Sequence, residues 1–182
     1  MSKTPEPSIY EKAFAKSDKT DAILVVQGKK LHVNKALLSI HSDYFNTLFN
    51  SEFKEKSMEE IPIKDVKFED FATVLSLVHP NRIEPTVNNV ENLLKLADRF
   101  LLPSVKRYFE LFIISTDIPA ASKLRLTDQF ELETLMEHSL KLFNTNSVLS
   151  AQTLQKFSDK TKVRLFNRKL ALNRGGRDTR IF

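Results

Sequence analysis

The stretch Asp21-Ala-Ile-Leu-Val-Val26, Gln27-Gly28-Lys29-Lys30, Leu31-His-Val33, Asn34-Lys35-Ala-Leu-Leu38 decides the fold. After Asp21, residues 22–26 are a continuous apolar run rich in β-branched side chains. Gln27-Gly28-Lys29-Lys30 supplies a turn holding the only glycine before position 175, and Leu31 to Val33 resumes the extended pattern. That is a β-hairpin. Asn34 then offers its side chain as a helix N-cap, and the following turns place Leu37, Leu38 and His41 on one side.

Working outward, Ser42-Asp43 restarts a helix with Phe45, Leu48 and Phe49 as apolar positions. Ser51 to Glu60 is a polar, acid-rich loop, and Ile61-Pro62-Ile63 with Val66 reads as a short edge strand that tolerates proline. Phe68, Phe71, Leu75 and Val78 recur at steps of three, four and three. They predict an amphipathic helix over 68–79 that Pro80 helps to stop. After a proline-bounded loop over 80–88, Asn89 caps a helix with Leu93, Leu94, Ala97 and Leu101 on one face. Pro103 opens another with Val105, Tyr108, Phe109, Phe112 and Ile113. Residues 1–19 form an N-terminal arm in which Ile9, Tyr10 and Phe14 suit a short helix with one apolar edge.

The domain over 20–115 is followed by weaker helical patterns: Leu124/Leu126, Leu132/Leu135/Met136/Leu140/Phe143, Leu149/Leu154/Phe157 and Val163/Phe166/Leu170. These make 116–172 a helical extension. A break at Gly175-Gly176 and a basic, flexible tail over 173–182 complete the chain, and no internal repeat is visible.

At 182 residues and 41% hydrophobic, with 14 Phe and no Trp, the chain has the composition of a packed domain with an appendage. Without cysteine it can hold no disulfide, thiolate metal site or cysteine nucleophile, so a reducing compartment, cytoplasmic or nuclear, is expected. The first twenty residues lack a signal-like apolar run, and no apolar stretch approaches a membrane span. The net charge of +5 is concentrated at one end. Residues from Lys160 onward carry +7, leaving −2 for 1–159. Eight Lys and Arg in that segment could neutralise phosphates, but Phe166 and Phe182 are its only aromatics, which favours a solvated helix over a nucleic-acid or membrane partner.

Catalytic chemistry finds no support. One glycine in the first 174 residues cannot build a phosphate-cradling loop, and His32, His41, His79 and His138 lack the i, i+3 or i, i+4 partners of a helical metal site. No serine sits in a Gly-x-Ser-x-Gly elbow, and no pair of carboxylates stands out for acid–base work. The expectation is a protein that is not an enzyme and needs no cofactor or metal.

Several spaced motifs agree in order: Asp21-Ala-Ile-Leu-Val-Val, Gly28-Lys-Lys-Leu-His-Val, Lys35-Ala-Leu-Leu-Ser, Ser42-Asp-Tyr-Phe-Asn-Thr-Leu-Phe49, Phe53-Lys-Glu55, Ile61-Pro-Ile-Lys-Asp-Val66 and Leu93-Leu-Lys-Leu-Ala-Asp98-Arg-Phe. Over about 20–115 the chain resembles the BTB/POZ family, most of all the BTB domains of nematode proteins that carry a MATH domain upstream. Here no MATH domain precedes it, so a BTB protein lacking one is expected. The resemblance implies an α+β domain, a small mixed sheet flanked by a helical cluster. It also implies a homodimer, with the arm and helix 35–49, including Leu37 and Leu38, in the dimer surface.

Asp21 and Lys35 resemble the charged pair of that interface; an ion pair that anchors strand to helix is the other reading, and the two are compatible. Phe53-Lys54-Glu55 is similar to the element by which family members bind cullin-3. Physically it is an aromatic anchor beside an orienting charge, with a core contact at the helix end as the other reading for Phe53. Where many relatives have a Tyr-Thr-Gly-like corner, this chain has His79-Pro80-Asn81, which alters one wall of that docking surface. The partners implied are a second copy, a cullin-3 ubiquitin ligase scaffold, and other BTB proteins.

Overall fold

The computed structural model describes residues 6–50, 58–144, 147 and 149–178, with backbone only for 175–178. It divides into two compact units, Met1–Phe109 and Glu110–Phe182.

The first unit opens with α1 (Ile9–Ala13), started by a capping box in which the Ser8 hydroxyl accepts from the Glu11 amide and the Glu11 carboxylate accepts from the Ser8 amide. The hairpin follows as β1 (Ala22–Val26) and β2 (Lys29–Val33), antiparallel with Val26 opposite Lys29. Gln27 and Gly28 both have positive φ, 49° and 77°, which is the type I′ turn whose twist matches the strands. The strained Gln27 has a second task. Its side-chain oxygen accepts from the Phe68 amide at 3.0 Å and so caps α4 (Phe68–Ser76), whose own N-cap residue, Lys67, makes no side-chain cap bond.

Asn34 caps α2 (Lys35–His41) through the Leu37 amide at 2.8 Å. Ser42 begins α3 (Asp43–Asn50), accepting from the Phe45 amide and donating its hydroxyl to the Phe100 carbonyl at 2.6 Å. These two helices carry the chain across to β3 (Glu60–Pro62), which runs parallel to β1 on its far side, giving the order β2-β1-β3. Pro62 thus sits on an edge strand, where a missing amide costs no ladder bond.

The core lies between this sheet and the helices. Leu24, Val26, Leu31 and Ile61 from the strands meet Phe45, Phe68, Phe71, Leu93 and Leu94 from α3, α4 and α5 (Val90–Arg99) and Phe100 just beyond it, all buried. The rings of Phe45 and Phe100 stack at 5.8 Å, and Phe71 meets Phe100 edge-on at 4.9 Å.

Three expectations need correction in this unit. Helix α4 is buried all round from Phe71 to Ser76 instead of being amphipathic. Its second face is built from Ala72, Thr73 and Ser76, whose hydroxyls are satisfied by the carbonyls of Glu69 and Thr73. Small satisfied residues can be enclosed where larger polar ones could not. Asn89 does not cap α5, because its oxygen accepts from the Thr86 amide instead. Leu101 leaves the apolar face, because α5 ends at Arg99 and Leu101 turns outward in a left-handed conformation with φ 48°, letting Leu102 enter the core.

Helix α6 (Pro103–Ser115) contains the boundary. The second unit continues with α7 (Ala120–Phe130), α8 (Glu133–Leu142), α9 (Ala151–Gln155) and α10 (Asp159–Asp178). Leu124, Met136 and Phe157 form its apolar cluster, joined by Leu140, Phe143, Leu149, Leu154 and Leu165. Polar staples tie the helices together. Glu110 accepts from the Leu135 amide near the start of α8, and the buried Lys123 donates to the Ile114 and Thr116 carbonyls at the end of α6. The Asp128 carboxylate accepts from the Ser158 amide and from the hydroxyls of Ser158 and Thr161, fixing the start of α10. Burial works to raise the Asp128 pKa, but these hydrogen bonds outweigh it and hold the carboxyl below the usual range.

Helix α10 departs from expectation twice. The stripe Val163/Phe166/Leu170 faces outward, with Phe166 63% exposed, while Leu165 joins the cluster. The Asp128 bonds to Ser158 and Thr161 set the rotation of the helix, so the face they anchor is the one enclosed. The helix also runs through Gly175-Gly176 instead of breaking there, since glycine within a helix costs only about 1 kcal/mol relative to alanine.

Candidate partner-docking surface

The residues that the sequence singled out lie in the first unit. Asp21, just before β1, accepts from the Lys35 backbone amide at 2.7 Å, so its carboxylate closes the first turn of α2. This is the strand-to-helix anchor, made through the backbone. The Lys35 ammonium lies 5.9 Å from the Phe49 ring centroid. Asp21 and Lys35 line one hollow together with His32 and Met58.

A neighbouring hollow of about 460 Å³ brings Leu37 and His79 together with Asn34 and Pro80. His79 is half-buried, its ring 5.4 Å from that of Phe14, and its Nδ1 accepts from the Asn81 amide at 3.4 Å. Burial lowers the His79 pKa, so near neutral pH the ring is uncharged. The Phe14 ring packs against it at a tilt of 38°, so part of the His79 surface is taken by the chain itself.

On α2, Leu38 is buried at 3% exposure and packs into the subunit's own core, Leu37 is half-exposed, and Ile40 is 79% exposed. Ile40 escaped the sequence reading because helical spacing placed Leu37, Leu38 and His41 together. An apolar residue off that stripe was the available signal. The arm is anchored more firmly than its spacing suggested. Phe14 is buried, its carbonyl accepts from the His32 amide at 3.1 Å, and Tyr10 meets the Phe68 ring edge-on. Phe53 and Glu55 lie outside the described residues.

The model of the BTB/POZ domain matches residues 10–117, more than half of the chain. The chain belongs to the BTB/POZ family. The BTB domain is a protein-interaction module. Similar curated proteins include BTB and MATH domain-containing protein 36 of Caenorhabditis elegans, 35% identical over 72% of this chain and 42% of that protein. BTB and MATH domain-containing protein 38 of the same organism is 30% identical over 90% of this chain and 43% of that protein. The chain therefore spans about half the length, or less, of these relatives. Among solved structures, the BTB domain of human Gigaxonin aligns with a TM-score of 0.46 and 21% identity, covering 57% of this chain and 86% of that one. Among the described residues, no helix of this BTB protein is long and apolar enough to cross a membrane.

Proposed function

We propose that this BTB protein is an intracellular, homodimeric adaptor that docks a cullin-3 ubiquitin ligase scaffold. The observation that carries the dimer is Ile40, a large apolar side chain left open on α2 beside the half-exposed Leu37. A second copy would cover both. The cullin part of the proposal rests on Phe53-Lys54-Glu55, an aromatic anchor with an orienting charge.

Light scattering coupled to size exclusion tests the first part. A dimer in the wild type and a monomer in Ile40→Asp are expected, and a strictly monomeric wild type ends the proposal. A pull-down with the purified cullin-3 N-terminal domain tests the second, comparing wild type with a Phe53→Ala, Glu55→Ala variant. Equal capture of both would remove those residues from the docking surface.

A second reading is a dimerising scaffold without ligase function, pairing with a BTB and MATH domain-containing relative. The half-buried His79 favours it, since a ring packed against the chain's own Phe14 offers a partner less surface. Mixing that yields heterodimers but no cullin complex would select it.

A further inference from the structure

The second unit carries a groove of about 410 Å³ along α10. Its apolar lining includes Phe143, Leu149, Leu154, Leu165 and Leu172, and Phe166 forms an exposed lip. Lys162, Arg168 and Lys169 border it, and no acidic side chain is among its described lining. Asp159 pairs with Lys162 at 3.0 Å. Lys169 is exposed, and the Arg168 Nε is buried without an acceptor among the described residues. A buried donor that no described residue satisfies is costly, and an incoming carboxylate that reached it would both satisfy it and neutralise the border.

We propose that this groove binds a short acidic, amphipathic segment of a partner protein, its apolar side chains on the leucine-lined floor and its carboxylates facing Arg168 and Lys169. The shape selects this occupant. An anionic membrane surface would call for a protruding apolar face in place of a concave one. A nucleic acid would call for aromatic stacking platforms or a cationic floor, whereas this floor is mostly aliphatic. A concave apolar strip beside cations is what an amphipathic helix of opposite charge fills. The site lies within the second unit and is independent of the cullin-docking residues.

The test is fluorescence anisotropy with the full chain and a labelled peptide bearing leucines at helical spacing and glutamates elsewhere. Two control peptides replace glutamate by lysine or scramble the order. Wild type should bind the glutamate peptide. Arg168→Glu with Lys169→Glu should bind it at least about tenfold more weakly and gain affinity for the lysine peptide, a gain that an unfolded variant could not show. Phe166→Ser should weaken binding with an unchanged circular dichroism spectrum. Undiminished binding by the double variant would overturn the proposal, as would equal binding of the scrambled peptide. Displacement of the peptide by phosphatidylserine vesicles would overturn it in favour of a membrane site.

Discussion

In the first unit Phe45 stacks on Phe100 at 5.8 Å, and the same Phe100 offers its carbonyl to the buried Ser42, so α3 and α5 are joined by rings and one enclosed hydroxyl. In the second unit one carboxylate, Asp128, accepts from two hydroxyls and an amide and pins α7 to the start of α10, beside the apolar cluster that Leu124 and Leu165 share. Burial of apolar area is non-directional and indifferent to ionisation. A carboxylate staple is directional and fails when it is protonated. The first unit should therefore resist acid and respond mainly to lost volume, while the second should respond to single polar atoms. Spectroscopy can separate the two, because Tyr10, Tyr44 and Tyr108, the three tyrosines of the chain, all lie in the first unit.

The largest effect expected is from Phe100→Ala. Removing a fully buried ring that touches Phe45 and Phe71 should cost about 3–5 kcal/mol, seen as loss of tyrosine near-ultraviolet dichroism at lower temperature. Lys123→Met comes next. It leaves the Ile114 and Thr116 carbonyls without their donor and should cost about 1–3 kcal/mol, lowering the thermal midpoint of helix content while the tyrosine signal persists. A simultaneous loss of both signals would break the comparison.

Asp128→Asn should cost about 1–2 kcal/mol at neutral pH, and its main signature is in acid. The folded-state pKa lies below the unfolded value of about 4, so the stabilisation is full above that pH and is lost as pH falls through the folded pKa. Wild type should lose helix content in that window, and the variant should show a flatter acid limb. Gln27→Ala should cost about 1 kcal/mol, since the Phe68 amide loses its acceptor. Urea midpoints would register it. Leu101→Gly is the smallest change. Relief of a left-handed leucine is nearly balanced by glycine's greater freedom when unfolded, leaving a shift within about 1 kcal/mol by denaturant titration.

Periodicity was a sound guide wherever one face of an element meets a large core. The hairpin, Pro62 on an edge and the apolar series on α5, Leu101 apart, and on α6 followed from it, because Leu24, Leu93 and Phe109 are all enclosed. It failed where polar bonds choose the rotation. In α10 the serine and threonine held by Asp128 outrank Val163 and Phe166, and no local pattern reveals a hydrogen bond spanning 30 residues. Of the candidate surface, Asp21 was legible as an anchor, but its acceptor role toward a backbone amide was not.

What the amino-acid order determined alone was the series of elements from the hairpin through α6 and the family they belong to, since turn chemistry, caps and apolar spacing act over a few residues. Tertiary structure decided which apolar side chains stay outside. Ile40 and Phe166 are as greasy as the buried Leu38 and the partly buried Leu165, and only the packing of distant helices determines which of each pair is the more exposed to water.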